Sequence, residues 1–123
     1  MLTRRFLLPM IAFSVRMLRA GPIPAGRVEI RPSGFTPEKI TCWAGDQLSW
    51  RNDSRETHEL GVINQDGKFV GLFDAALQPG AISSVFTPSL RYDEKKKQQT
   101  YTIEYVCRLH PQERGTIVVN PVP

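Results

Sequence analysis

Three side chains that could bind a metal ion follow one another at equal spacing near the end of the chain. Cys107, His110 and Glu113 are three residues apart and supply a thiol, an imidazole and a carboxylate. A soft sulfur donor beside an imidazole favours copper or zinc over magnesium or calcium. Another strong ligand is still needed, and the only other histidine of the chain is His58.

The residues around this motif predict that it joins two β-strands. A strand-like run over residues 101–107 leads into Cys107, and a second begins at Gly115. The three donors therefore fall on one tight loop between two strands. Side chains on such a loop can converge on a single ion.

Alternating apolar residues predict further strands, and no apolar helix of useful length appears after the N-terminus. The predicted strands are residues 27–31, 35–43, 47–50, 59–63 and 82–86, with an irregular stretch at 68–80 and a polar loop at 90–99. Leu48 and Trp50 should point inward. Seven or eight short strands at this spacing predict an all-β sandwich or barrel.

The first 25 residues have the character of a targeting leader. Arg4 and Arg5 precede a ten-residue apolar run that is too short to span a bilayer. The arginine pair before Phe-Leu resembles a twin-arginine export signal, so we expect an exported, periplasmic protein. Arg16 and Arg19, in a segment without acidic residues, make an organellar leader an alternative interpretation. A disordered tail is the third interpretation. Residues 26–123 should form one domain.

The formal net charge of +4 comes from that N-terminal segment. Four of the sixteen basic residues lie in the first 20 positions, which leaves twelve basic and twelve acidic residues from Gly21 onward. A nucleic-acid binder would need a basic face, so the neutral body argues against nucleic acid as a partner. We also expect no stable membrane insertion of the mature domain.

The two cysteines could in principle form one disulfide. Cys107 is better used as a metal thiolate. Cys42 falls on the same side of an alternating strand as Ile40, where it should point into the core. Buried free cysteine behaves as a small apolar side chain, so we expect a reduced core thiol at Cys42.

Three stretches together resemble the cupredoxins, the plastocyanin- and amicyanin-like blue copper proteins. The likeness extends over about residues 27–120 and is most specific in the Cys-x-x-His hairpin with its upstream histidine. The stretches that carry it are Phe35-x-Pro37-x-x-Ile40-x-x-x-x-Gly45-Asp46-x-Leu48-x-Trp50-x-Asn52, then Phe69, Phe73, Leu77-x-Pro79-Gly80 and Phe86, and finally Cys107-x-x-His110-Pro111-x-x-x-Gly115-Thr-Ile-Val.

This resemblance implies a Greek-key β-sandwich that holds one copper ion. His58, Cys107 and His110 would be its trigonal ligands, and the protein would carry single electrons between redox protein partners rather than act as an enzyme. We expect it to be a monomer. Electrons would pass through the edge of His110, beside Leu109 and Pro111.

The chain departs from the family at two positions. Glu113 stands where the axial methionine is expected, and all three methionines lie in the first 17 residues. Glu113 could ligate copper, or it could turn to solvent and pair with Arg114 or Arg108, with Gln112 then the fallback axial donor. The second departure is Glu59, which replaces the asparagine that helps tie the two ligand loops together in the family.

Other functions remain open on the sequence. A Cys-His-His-Glu set resembles the red copper site of nitrosocyanin, which would suit a small-molecule-binding or catalytic role. Copper delivery or storage is a further alternative, although a body without methionine and with two histidines is poor in the ligands such proteins use. Zinc fits the same donors, but copper binds more strongly at equal availability.

Overall fold

The structure, a computed structural model, describes residues 24–122. Its eight strands are β1 (Pro24–Arg31), β2 (Gly34–Thr36), β3 (Lys39–Trp43), β4 (Gln47–Asn52), β5 (Leu60–Ile63), β6 (Phe69–Gly71), β7 (Tyr101–Cys107) and β8 (His110–Asn120). Within the described range no helix has the length and apolar character needed to cross a membrane. Residues 1–23 of the predicted leader lie outside the described range. β1 begins at Pro24, two residues before the expected start of the domain at residue 26.

The strands form two sheets, which confirms the predicted all-β sandwich. One sheet has three strands in the order β2-β1-β4, and the other has five in the order β3-β8-β7-β5-β6. In the larger sheet β7 and β8 are antiparallel neighbours, whereas β1 with β4 and β3 with β8 are parallel. The hairpin that carries the candidate ligands is therefore built from two interior strands of its sheet, of which β7 is the central one.

The core between the sheets is dominated by aromatic side chains. Trp50 is fully buried and its ring packs edge-on against Tyr105 and Phe86. Leu48 is also fully buried, as predicted for the inward face of β4. Cys42 is a free thiol buried among these core residues, which confirms its predicted place in the core.

The single strand predicted at 35–43 is wrong, because the chain changes sheet in its middle. β2 pairs with β1 in the smaller sheet, whereas β3 pairs with β8 in the larger one. Pro37 lies between them, and proline has no N–H to donate to a continuing ladder. The break lets one short segment join both layers of the sandwich.

The strand predicted at 82–86 is also wrong as a regular element. This segment runs beside β4 and meets it only at isolated bridges, Arg51 with Ile82 and Leu48 with Phe86. Between them the Trp50 N–H donates to the Ser83 hydroxyl at 2.9 Å. A side chain thus takes a place that a backbone carbonyl would hold in a regular ladder.

The stretch 68–80, predicted to be irregular throughout, contains the short strand β6. The turn before it has the sequence Asn-Gln-Asp-Gly, residue types typical of turns. There the Asn64 side-chain oxygen accepts hydrogen bonds from the N–H groups of Asp66 and Lys68, both at 2.9 Å. This turn folds β6 back onto β5, and three residues are too few to show an alternating pattern in the sequence.

Candidate metal centre

His58 lies just beyond β4 and is held against the segment that carries Leu77. The two residues exchange backbone hydrogen bonds of 3.0 and 2.7 Å. The His58 side chain is almost fully buried, and its Nε2 lies 2.8 Å from the hydroxyl of Ser54. That contact leaves Nδ1 to face the interior of the site.

Asn52 organises the loop that leads to His58. Its side-chain oxygen accepts from the N–H and the hydroxyl of Ser54 at 2.9 and 2.7 Å. Its amide group donates to the carbonyl oxygens of Glu56 at 2.7 Å and Leu77 at 2.9 Å. Asn52 is fully buried, so these four hydrogen bonds fix the loop that positions the His58 ring.

The other donors come from the β7–β8 hairpin, whose pairing is irregular at the site. Cys107 is the last residue of β7 and pairs with His110, the first residue of β8, whereas the neighbouring Val106 pairs with Arg114. The three residues between His110 and Arg114 have no partner in this register and bulge from the strand. Glu113 lies on this bulge, on β8 rather than on the loop predicted from sequence.

The structure brings all four predicted site residues together. One donor atom from each of His58, Cys107, His110 and Glu113 lies within 4.8 Å of the others. Cys107 Sγ is 3.4 Å from His110 Nδ1, and Glu113 Oε1 is 3.1 Å from His58 Nδ1 and 3.7 Å from His110 Nδ1. The centroids of the two imidazole rings are 4.9 Å apart.

Two of these donor atoms have no hydrogen-bond partner. His58 Nδ1 and Glu113 Oε1 are buried 3.1 Å apart without the alignment of a hydrogen bond, and among the described residues they are the buried side-chain nitrogen and oxygen atoms left without one. Buried polar atoms normally have partners because desolvation without one costs about 1–3 kcal/mol. A cation between the four side chains would satisfy both atoms.

Burial also keeps His58 in the form that can bind a metal. Desolvation lowers the pKa of His58 below its ordinary value, and the nearby Glu113 carboxylate opposes this shift. A neutral imidazole has a lone pair on one ring nitrogen, and a metal ligand needs that lone pair. With Nε2 at Ser54, the free nitrogen is the one that faces the site.

Glu113 does not turn to solvent. Its side chain is mostly buried. Among the described residues its carboxylate makes ion-pair contacts with the two histidines rather than with Arg114 or Arg108. Gln112, the fallback donor, is exposed. The geometry thus favours the first of the sequence-based alternatives, in which Glu113 faces the metal site.

The two ligand loops are tied together although the asparagine of the resemblance is absent. The Arg108 N–H donates to the Glu59 carbonyl at 2.7 Å, and the Arg108 guanidinium lies 3.7 Å from the Glu59 carboxylate. The backbone bond does not depend on the side chain at position 59. This contact joins the residue after His58 to the residue after Cys107.

Sequence reasoning missed two residues that contact the histidines, Ser54 and Glu56. Ser54 holds His58, and the Glu56 carboxylate lies 2.7 Å from His110 Nε2. The run Asn52-Asp53-Ser54 is a turn signal, because its residue types are typical of turns. Nothing in that signal showed that its side chains reach both imidazole rings.

Comparisons with known proteins connect this geometry to one fold. No protein-family model matches the chain, and no curated protein matches it. A purple cupredoxin from Nitrosopumilus maritimus is similar, with 19% identity over 77% of this chain and 99% of its own and a TM-score of 0.60. Amicyanin from Paracoccus versutus is 17% identical over 83% of this chain and 87% of its own, also with a TM-score of 0.60. A Cu(I) form of an amicyanin variant gives 19% identity, 83% and 88% coverage and the same TM-score. The described domain therefore has a cupredoxin-like fold.

Proposed function

We propose that the protein binds one copper ion through His58, Cys107 and His110, with Glu113 as a fourth donor, and carries one electron at a time between redox proteins. The observation that carries this proposal is a pair of buried atoms, His58 Nδ1 and Glu113 Oε1, that lie 3.1 Å apart without an aligned hydrogen bond. They face a thiol and a second imidazole across less than 5 Å. A metal ion bound among them would satisfy all four, whereas a proton shared by His58 and Glu113 would satisfy only those two.

The chemistry of the donors favours copper. A thiolate with two imidazoles suits copper and zinc, and copper is the stronger binder of the two at equal availability. The similar solved structures include a protein titled a purple cupredoxin and a Cu(I) amicyanin. They support the same assignment for this chain.

The surroundings of the site suit electron transfer. A bound copper ion would supply a centre that alternates between Cu(I) and Cu(II). Cys107 is fully buried on a central strand, His58 is held by Ser54 and Leu77, and the ligand loops are joined by Arg108 and Glu59. Ligands held this firmly move little when the charge at the centre changes. His110, 23% exposed, gives the site its contact with solvent.

The proposed setting follows from the N-terminal segment. Residues 1–25 would be a leader, and the domain from residue 26 onward would work after export, in the periplasm, as a monomer that meets redox partners. The organellar leader remains the alternative. The neutral body accords with a protein that docks transiently with other proteins rather than with nucleic acid.

A second function, binding of a small molecule at the metal, has one observation in its favour. A cavity of about 330 Å³ borders the metal site and is lined in part by His58, Glu113, Ser54 and Arg55. A small anion entering here could reach an open coordination position. Azide added to the copper-loaded protein would shift the visible spectrum under this alternative and leave it unchanged for a closed electron carrier.

Optical and electron-spin spectra of the copper-loaded protein test the main proposal. Wild type should show an intense visible band from thiolate-to-copper charge transfer. Cys107→Ser should abolish this band while the sandwich still folds. The matched control is Cys42→Ser, which removes the other thiol and should keep the band. A band that survives Cys107→Ser would show that the ligand assignment is wrong.

A further inference from the structure

The outer edge of His110 is covered by a carboxylate from the other ligand loop. His110 Nε2 lies 2.7 Å from Glu56 Oε1, and Glu56 is 68% exposed. On the opposite edge of the ring, Nδ1 lies 3.4 Å from Cys107 Sγ. One nitrogen therefore faces the metal site while the other meets a negative charge at the surface.

The same loop controls both imidazole rings. Ser54 contacts Nε2 of His58 and Glu56 contacts Nε2 of His110, and the two residues are separated by one position. Asn52 fixes this loop by donating to the Glu56 carbonyl and by accepting from Ser54. Glu56 is thus presented to His110 from a rigid support, although its carboxylate lies at the surface.

A carboxylate at this position has two physical consequences. An acceptor at Nε2 keeps the proton on that nitrogen, which leaves the Nδ1 lone pair directed at the metal site. The carboxylate also places a negative charge beside the part of the site that is open to solvent. Charges at a contact edge act mainly on the rate of association and on the choice of partner.

We propose that Glu56 is a positioning and partner-selecting residue: it holds the His110 ring for the metal through Nε2 and favours redox partners that bring a positively charged group to this edge. The proposal rests on the proposed function, since it takes His110 as a ligand and as the route of the electron. Redox partners with an acidic contact surface would be disfavoured by the same charge.

Metal-free protein tests the positioning role without any need for copper. A proton NMR spectrum at about pH 8, above the ordinary imidazole pKa, should show the His110 Nε2–H as a downfield signal protected from exchange with water. Glu56→Ala removes the acceptor and should broaden this signal beyond detection. Glu56→Gln keeps an oxygen acceptor and should retain it. An unchanged His110 signal in Glu56→Ala would overturn the positioning role.

Copper-loaded protein tests partner selection with small redox probes of opposite charge. Hexaammineruthenium is a cation and ferricyanide is an anion. In wild type the cation should react faster, relative to the anion, than in Glu56→Gln. We expect this rate ratio to fall at least threefold to fivefold in the variant, because that is about the effect of one unit charge on another near contact in water and both probes carry several charges.

The matched control is Glu94→Gln, which removes one exposed carboxylate from the loop before β7 and none from the edge of His110. Its ratio should stay close to that of wild type. An equal change in both variants, or no change in Glu56→Gln, would overturn partner selection by Glu56. Failure of the proposed function would look different, because wild type would then lack the thiolate–copper band while the metal-free NMR result still stood.

Discussion

Glu113 brings to the cluster a negative charge that the thioether expected at this position would not. Its Oε1 approaches both histidines and is buried without a hydrogen bond. A carboxylate is a harder and stronger donor than a thioether, so it favours Cu(II) over Cu(I). A bound copper ion would be held by Glu113 as well as by the other three residues, and this additional donor would weaken the copper–thiolate bond.

Glu113→Met should therefore give a bluer site at a higher reduction potential. The wild-type colour should lie toward green or red, and its potential should be the lower of the two, because the negative oxygen stabilises Cu(II). Optical spectra and voltammetry of the copper-loaded proteins measure both effects. Gln112→Met, one residue away and exposed, is the matched control and should change neither. An intensely blue wild type that Glu113→Met leaves unaltered would contradict axial ligation by Glu113.

Tyr105 is a second residue whose chemistry is set by burial. Its hydroxyl accepts a hydrogen bond from the Trp50 ring N–H at 3.1 Å. Burial raises the pKa of Tyr105 to about 12, and the bond from Trp50 opposes this shift. The phenolate forms more easily in the unfolded chain, so the stabilisation from the neutral phenol is fully present below about pH 10 and is lost as the pH rises through about 12.

Tyr105→Phe should lower the free energy of unfolding at neutral pH by about 1–3 kcal/mol, because the buried Trp50 N–H loses its acceptor. Between about pH 10 and 12 wild type should lose stability faster than the variant, so the difference between them should shrink. Denaturant unfolding at a series of pH values measures this. A difference that grows with pH would contradict the direction of the Tyr105 shift.

In the β7–β8 hairpin, Gly115 lies between the closely packed, regular part of the two strands and their irregular end at the candidate metal site. Gly115 pairs with Tyr105 across the hairpin, and a Cβ at this position would overlap the Tyr105 ring. The ring lies over the glycine because no side chain is there. Two residues earlier, Glu113 lies on the bulge, so the packing of Tyr105 supports the strand from which Glu113 projects.

Gly115→Ala should destabilise the protein by about 1–3 kcal/mol, the usual cost of overpacking a core. Thermal or denaturant unfolding of the metal-free protein measures it. If the overlap with Tyr105 is the cause, the same substitution in a Tyr105→Leu background should cost clearly less, which a double-mutant cycle can test. Equal costs in both backgrounds would show that the strain lies elsewhere.

The sequence predicted those elements whose signals are local. The spacing of Cys107, His110 and Glu113 reports a hairpin directly, because all three lie within seven residues of chain. The segment 82–86 was misjudged because the Ser83 hydroxyl takes a backbone position in the ladder. The role of Glu56 depends on the approach of two loops that are more than 50 residues apart in the chain. No spacing rule reports such an approach.

At the scale of the whole molecule, the metal site and the lysine run 95–97 are at opposite ends of β7. The loop before β7 is closed on itself: the Asp93 side chain accepts from the N–H groups of Lys95 and Lys97 at 2.8 and 2.9 Å, and Tyr92 forms a bridge with Gln98. β7 then runs from Tyr101 to Cys107, a rise of about 20 Å at roughly 3.3 Å per residue.

Replacing Lys95, Lys96 and Lys97 together by glutamine should therefore leave the visible spectrum and the reduction potential of the copper-loaded protein unchanged. Solvent-exposed charges act over a Debye length of about 10 Å at 0.1 M salt, which is well short of the length of β7. The three lysines carry more charge than Glu56, yet only Glu56→Gln should alter the ratio of rates with the cationic and anionic probes. A shifted spectrum in the triple variant would mean that the loop folds back over the metal end. A changed rate ratio with an unchanged spectrum would mean that partners are guided by the charge of the whole surface rather than by the edge of His110.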